Sequence, residues 1–276
     1  MSGVTLKCTG SDYINDVVVN NPTLIFHDLG VASPIECGLR NVSWVIPNGT
    51  WSDHPGFDTK NENDSHQTEG GPAWVANIIN SVGTSPCKNP DGSSYWNTTA
   101  IFVVWDDWGG FYDHVSPAAS AGGPGVLINT TQNPCTTFGC GYVFGFRVPF
   151  LVVSGYTGTL KNGVYSGYVS GNTLTQGETF PYIHDFGSIL ASIENNFLGP
   201  TAIGTINEAY PFADNSAPDL RLQPLHVPLA DFFPLPQNQP RPFQAITLPL
   251  GSPDANYFIN YNGPIEDPDN DVIDSD

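Results

Sequence analysis

Three features of the sequence predict an α/β fold: short continuous apolar runs that each end in a polar, glycine-bearing loop, two stretches with apolar residues at helical spacing, and the interleaving of the two along the chain. The runs are residues 42–47 (VSWVIP), 100–105 (AIFVVW) and 148–154 (VPFLVVS). Uninterrupted apolarity suits strands covered on both faces, so they predict a mostly parallel sheet. Between the first two runs lies GPAWVANIINSVG, where Trp74, Val75, Ile78, Ile79 and Val82 share one helical face behind Pro72. After the third comes HDFGSILASIENNFLG, with Phe186, Ile189, Leu190, Ile193 and Phe197 at helical spacing and a glycine at the end.

The remaining stretches read as loops. Residues 118–141 form a Gly-, Ala-, Asn- and Thr-rich insertion, and residues 165–179 a Gly- and Tyr-rich hairpin or loop. Beyond Asp231 the chain turns Pro-rich and then strongly acidic, which predicts a tail with little packed structure. The domain reading is therefore residues 1–236 as the folded part and 237–276 as that tail. No internal repeat is found.

Composition narrows the function. With 276 residues and 39% hydrophobic content the chain can bury a real core. Eight Lys and Arg against 27 Asp and Glu give a formal charge of −19, a field that repels polyanions and excludes a nucleic-acid partner. An anionic substrate remains accessible if a bound cation reverses the field within one cleft. No apolar run is long enough for a transmembrane segment, and the first twenty residues lack the features of a signal peptide. Five cysteines, little Lys and sequons at Asn41, Asn48, Asn63, Asn97 and Asn129 resemble an extracytoplasmic protein, so a secreted or periplasmic location is expected. Cys135 and Cys140 are close enough to pair and Cys8 has Cys37 as a candidate partner, which leaves Cys87 over.

The chemistry concentrates in AIFVVWDDWGGFYDHV, an apolar run that stops at the adjacent carboxylates Asp106 and Asp107 and turns through Gly109 and Gly110. Ligands of open α/β sheets bind outside the carboxyl ends of strands, and a divalent metal with oxygen ligands relieves the repulsion of two neighbouring anions. The plain alternative is that the pair caps the turn. In WVIPNGTWSDHPG the arrangement recurs with Asp53 and His54, a carboxylate and imidazole suited to a metal or to protonating a leaving oxygen, or else a surface loop. His184 stands at a helix start with Asp185 as N-cap, and His114 either reaches the carboxylate turn or packs against Trp108 and Phe111. Arg147 suits a structural ion pair or a phosphate oxygen. His27, His66 and His226 have no recognisable company.

Taken in order, SWVIPNGTWSDHPG, GPAWVANIINSVG, YWNTTAIFVVWDDWGGFYDHV, GFRVPFLVVSGY, HDFGSILASIENNF and LADFFPL resemble the phosphoesterase family of bacterial phospholipases C and acid phosphatases. That resemblance implies an alkaline-phosphatase-like α/β/α sandwich and a metal-dependent phosphoester hydrolase in which a metal-aligned hydroxyl attacks phosphorus. It implies Asp106 and Asp107, with Asp53, as metal ligands; His54, His114 and His184 as catalytic residues; a divalent metal ion as cofactor; and a phosphoester or phospholipid as substrate, with transient membrane-surface contact. The family's N-terminal segment, with an ENxSFD-like metal motif and the nucleophile, has no counterpart here, which predicts a C-terminal part only. Ser52 and Ser154 are hydroxyls outside any activating motif. A different class of reading is an inactive remnant or metal-stabilised binding module.

Overall fold

The computed structural model describes residues 24–52, 67–109, 113–114, 146–161, 164–170, 186–197, 229–233, 235 and 239–263. The chain divides into two compact units, Met1–Thr99 with Pro242–Asp276, and Ala100–Arg241. The described helices are α1 (Leu24–Asp28), α2 (Gln67–Thr84), α3 (Phe186–Phe197) and α4 (Ala255–Ile259), and the strands are β1 (Ala100–Val104), β2 (Phe150–Ser154), β3 (Thr159–Lys161), β4 (Val164–Ser166) and β5 (Val169–Ser170).

The first unit is organised on α2. Of its predicted apolar face Trp74, Ile78, Ile79 and Val82 are buried, together with Ala73 and Ala76, whereas Val75 is only half-buried. The helix nevertheless starts at Gln67, with Pro72 inside it, where the sequence places the proline at the opening. Packing explains the earlier start: a Cβ on Gly70 would lie 2.9 Å from the Trp51 Cβ, and one on Gly71 2.9 Å from its carbonyl oxygen. Two glycines thus let the first turns approach the 3-10 turn Gly49–Trp51, and that contact outweighs the local proline rule.

A segment following Pro242 runs along α2 from its C-terminal end toward its N-terminal end. The Phe243 ring occupies the space a side chain at Gly83 would need and packs edge-on to Trp96 at 4.8 Å. Asn80 donates from Nδ2 to the Ile246 carbonyl (3.0 Å) and accepts from the Ile246 N–H at Oδ1 (2.7 Å), so one amide takes the place of a neighbouring strand. The buried Asn77 Nδ2 donates to Ala73 O (2.8 Å) and Pro253 O (3.0 Å). Helix α4 then opens on the Asp254 N-cap, whose Oδ1 accepts from the Tyr257 N–H, and delivers Phe258, fully buried, to within 5.4 Å of Trp51. The expectation of a loosely packed tail beyond Asp231 therefore fails for residues 242–263. Four well-spaced anchors (Phe243, Ile246, Pro253 and Phe258) are invisible to a composition argument dominated by proline and acid. The acidic end itself, 264–276, lies outside the described residues.

Residues 42–47 are not a strand. Val42 is 38% and Trp44 55% exposed, and no described segment pairs with them. Cys37 is joined to Cys87 by a disulfide, not to Cys8 as the sequence suggested, and the Tyr95 hydroxyl donates to the Cys37 carbonyl at 3.1 Å. Cys8, Cys135 and Cys140 are outside the described residues.

In the second unit β1, β2 and β5 form an antiparallel sheet in the order β1-β2-β5, with Ala100 opposite Ser154, Val104 opposite Phe150 and Val152 opposite Ser170. A separate hairpin pairs β3 with β4. The fold is mixed helix and sheet as expected, but the described sheet is antiparallel where the sequence predicted a mostly parallel one. Continuous apolarity predicts a covered strand and says nothing of direction, which depends on the connection between strands; here β1 is at most half-buried and only residues 152–154 of β2 are buried. Helix α3 buries Ser188, Ile189 and Ser192, whereas Phe186 and Phe197 at its ends are 48% and 52% exposed, so its buried face is narrower than the apolar spacing implied. Among the described residues no helix is long and apolar enough to cross a membrane.

Two stability outcomes follow from the first unit. Phe258→Ala empties a fully buried aromatic position and is expected to cost about 3–5 kcal/mol in chemical denaturation, whereas a free tail would give no change. Reduction of Cys37–Cys87, which closes a span of 50 residues, is expected to lower stability by roughly 2–4 kcal/mol, read as a fall in midpoint with added thiol.

Candidate active site at the end of β1

Where β1 leaves the sheet after Val104, the chain passes through Trp105 to Asp106 and Asp107, both exposed. Gly109 adopts φ +64°, a left-handed conformation that suits glycine, and its N–H donates to Asp107 Oδ1. The turn-capping role is thus real for one oxygen of Asp107. It is compatible with ligation, because a carboxylate has acceptor capacity beyond a single bond.

The loop is braced by the residues that precede β2. The Trp108 ring, 44% exposed, stands 5.7 Å from that of Phe146. Six residues after Asp107, Asp113 has a side chain only 11% exposed and receives both prongs of Arg147, Nε to Oδ2 at 2.7 Å and Nη2 to Oδ1 at 2.8 Å, with the Arg147 N–H reaching Oδ2 at 3.4 Å. Donating to the Asp113 carboxylate raises the affinity of Arg147 for its proton, holding the guanidinium above its ordinary range. Arg147 is therefore the structural ion-pair residue among the two roles considered for it. Its acidic partner was not singled out in the sequence. The available signal was the scarcity of cations: an arginine immediately before an apolar run implies an anion at the neighbouring strand end.

His114 lies beside this pair, its Nδ1 3.6 Å from Asp113 Oδ1, with a side chain 87% exposed. That exposure leaves it open to solvent and solutes and speaks against a packing role; Phe111 lies outside the described residues. Asp53, His54 and His184 lie outside the described residues. Ser154 is fully buried, with Oγ accepting the Tyr156 N–H at 3.2 Å, and a hydroxyl in that position is out of reach of a substrate. His27 has a structural partner, its Nδ1 2.9 Å from the Pro34 carbonyl.

Among the described residues no group of three or more His, Cys, Asp or Glu comes together to hold a metal. The donor chemistry of Asp106 and Asp107, two exposed carboxylates on one turn, fits part of a shell for an oxygen-seeking divalent cation and not a soft-metal site.

Against known proteins, the model of the Phosphoesterase family matches residues 35–198. Phospholipase C A of Mycobacterium tuberculosis is 31% identical over 125 residues, which is 43% of this chain and 21% of that protein. Non-hemolytic phospholipase C of Pseudomonas aeruginosa is 31% identical over 128 residues, 42% of this chain and 16% of that protein. Non-specific phospholipase C5 of Arabidopsis thaliana is 24% identical over 177 residues, 62% of this chain and 29% of that protein. The match thus spans about a fifth of the length of the mycobacterial relative. No solved structure gives a significant match. With its strand β1, the Asp106 and Asp107 turn and strand β2 all inside the matched stretch, the chain belongs to the Phosphoesterase family.

Proposed function

We propose that this chain carries part of the active site of a metal-dependent phosphoester hydrolase, acting on a phospholipid headgroup bond or a phosphomonoester. The observation that carries the reading is the exposed Asp106 and Asp107 turn at the end of an apolar strand, inside the matched family stretch. The phospholipase C names of the relatives support the substrate class. An alkaline-phosphatase-like architecture and a secreted or periplasmic location are part of the same proposal, the latter supported by the Cys37–Cys87 disulfide.

In this reading Asp106 and Asp107, joined by Asp53, hold the cation. When bound, it supplies Lewis-acid polarisation of a phosphoryl oxygen and compensates the charge that develops there. Around it the protein orients the ester and moves protons. A nucleophilic oxygen adds to phosphorus, the bond to the leaving oxygen breaks, and that oxygen takes a proton from an imidazole. His114, open to solvent, can recover its proton from water, and His54 and His184 are the other candidates for this step. The attacking hydroxyl is assigned to a segment that the matched stretch does not include; buried Ser154 does not serve. Transient contact with a membrane surface belongs to the phospholipid branch of the proposal.

The test is hydrolysis of p-nitrophenyl phosphate and p-nitrophenylphosphorylcholine by the gene's full product. Asp107→Asn and Asp106→Asn are expected to lower kcat/KM by at least about a hundredfold. Chelation is expected to abolish turnover and added divalent cation to restore it. Chelator-insensitive turnover that survives Asp107→Asn would point instead to a structural role for the carboxylates, and absence of any turnover in the metal-loaded product to a non-catalytic binding module.

A further inference from the structure

Residues 105–109 leave the sheet after the Val104–Phe150 pair, and Asp113 lies against Arg147, just ahead of the start of β2. Contacts among the described residues that hold this excursion are the strand ladder at its start, the Trp108 ring against Phe146, and the two-pronged bond between Arg147 and Asp113 at its end. Asp106 and Asp107 lie between the first and second. Their own turn supplies one bond, from the Gly109 N–H to Asp107, which fixes local conformation but does not tie the turn to the sheet. The ring contact is between exposed or half-exposed groups and permits sliding. A guanidinium fork on a nearly buried carboxylate does not, because two parallel bonds fix both distance and plane.

We propose that Asp113 and Arg147 form a positioning pair that sets the placement of the Asp106 and Asp107 turn for cation binding, an inference that rests on those two carboxylates being cation ligands. The fork acts on loop position alone; neither residue is placed on the substrate. It requires the planar fork and not merely a positive charge, so lysine at 147 is an inadequate replacement even though it keeps the ion pair. The nearly buried Asp113 is also distinct in role from His114 beside it, whose side chain is turned to solvent.

The experiment titrates the gene's full product with Mn2+, following free metal by electron paramagnetic resonance, in wild type, Arg147→Lys, Arg147→Gln and Asp107→Asn. Thermal melting is recorded for each. Arg147→Lys is expected to melt cooperatively and to weaken Mn2+ binding by about 10–100-fold, with kcat recovering toward wild type at saturating metal. Asp107→Asn is expected to lose binding without such recovery. Wild-type affinity in both Arg147 variants, with binding lost in Asp107→Asn, overturns the positioning role and leaves the hydrolase reading standing. Wild-type affinity in Asp107→Asn removes the ligand assignment and the positioning role with it. Loss of cooperative melting in both Arg147 variants assigns the pair to folding and overturns the proposal.

Discussion

The antiparallel ladder between β1 and β2 is the constraint on which the candidate site depends. Five residue pairs, from Ala100 opposite Ser154 to Val104 opposite Phe150, fix where β1 ends and which segment lies beside that end. Because the strands run in opposite directions, the exit of β1 and the entry of β2 are neighbours. The loop carrying Asp106 and Asp107 therefore meets Phe146 and Arg147 although the two are far apart in sequence. A one-residue slip would invert the faces of every side chain in the pair and misplace these contacts together.

The turn after β2 is consolidated in a similar way, by polar groups that replace missing sheet partners. Thr157 Oγ1 accepts from the Ser154 N–H at 2.9 Å and donates to the Ser154 carbonyl at 3.0 Å, both residues being fully buried. Arg241 donates to the carbonyls of Thr157 and Gly167 and lies over the Tyr168 ring at 4.7 Å. In the other unit Asn77 and Asn80 do the same for the segment following Pro242. Irregular segments are thereby kept in place without regular pairing, and their backbone groups are matched by side-chain amides, hydroxyls and a guanidinium.

Acidity and the site are linked physically. A chain with formal charge −19 repels anionic esters at long range, and adjacent carboxylates on an exposed turn intensify the effect locally. A cation held by those carboxylates would invert the sign of the field where a phosphoryl group approaches, while the surrounding surface stays acidic. Two of the scarce cations in the described part of the second unit are spent internally, Arg147 on Asp113 and Arg241 on backbone carbonyls, and both are committed to holding loops.

By itself the sequence determined the helical identity and buried face of α2, the existence of β1 and β2, and the abrupt stop at Asp106 and Asp107, because periodicity and the apolar-to-polar break are local properties. The family was legible too, since its motifs follow one another along the chain. Tertiary structure decided the rest. Strand direction, the Cys37–Cys87 bond, the anchoring of residues 242–263 and the Asp113 to Arg147 fork all join residues distant in sequence. Residues 42–47 show the converse: an apolar run predicts a strand, yet a strand needs a neighbour, and only the folded chain supplies or withholds one. Local pattern encodes what a segment can become; the pairing of its backbone groups and the burial of its side chains are settled by partners that periodicity does not name.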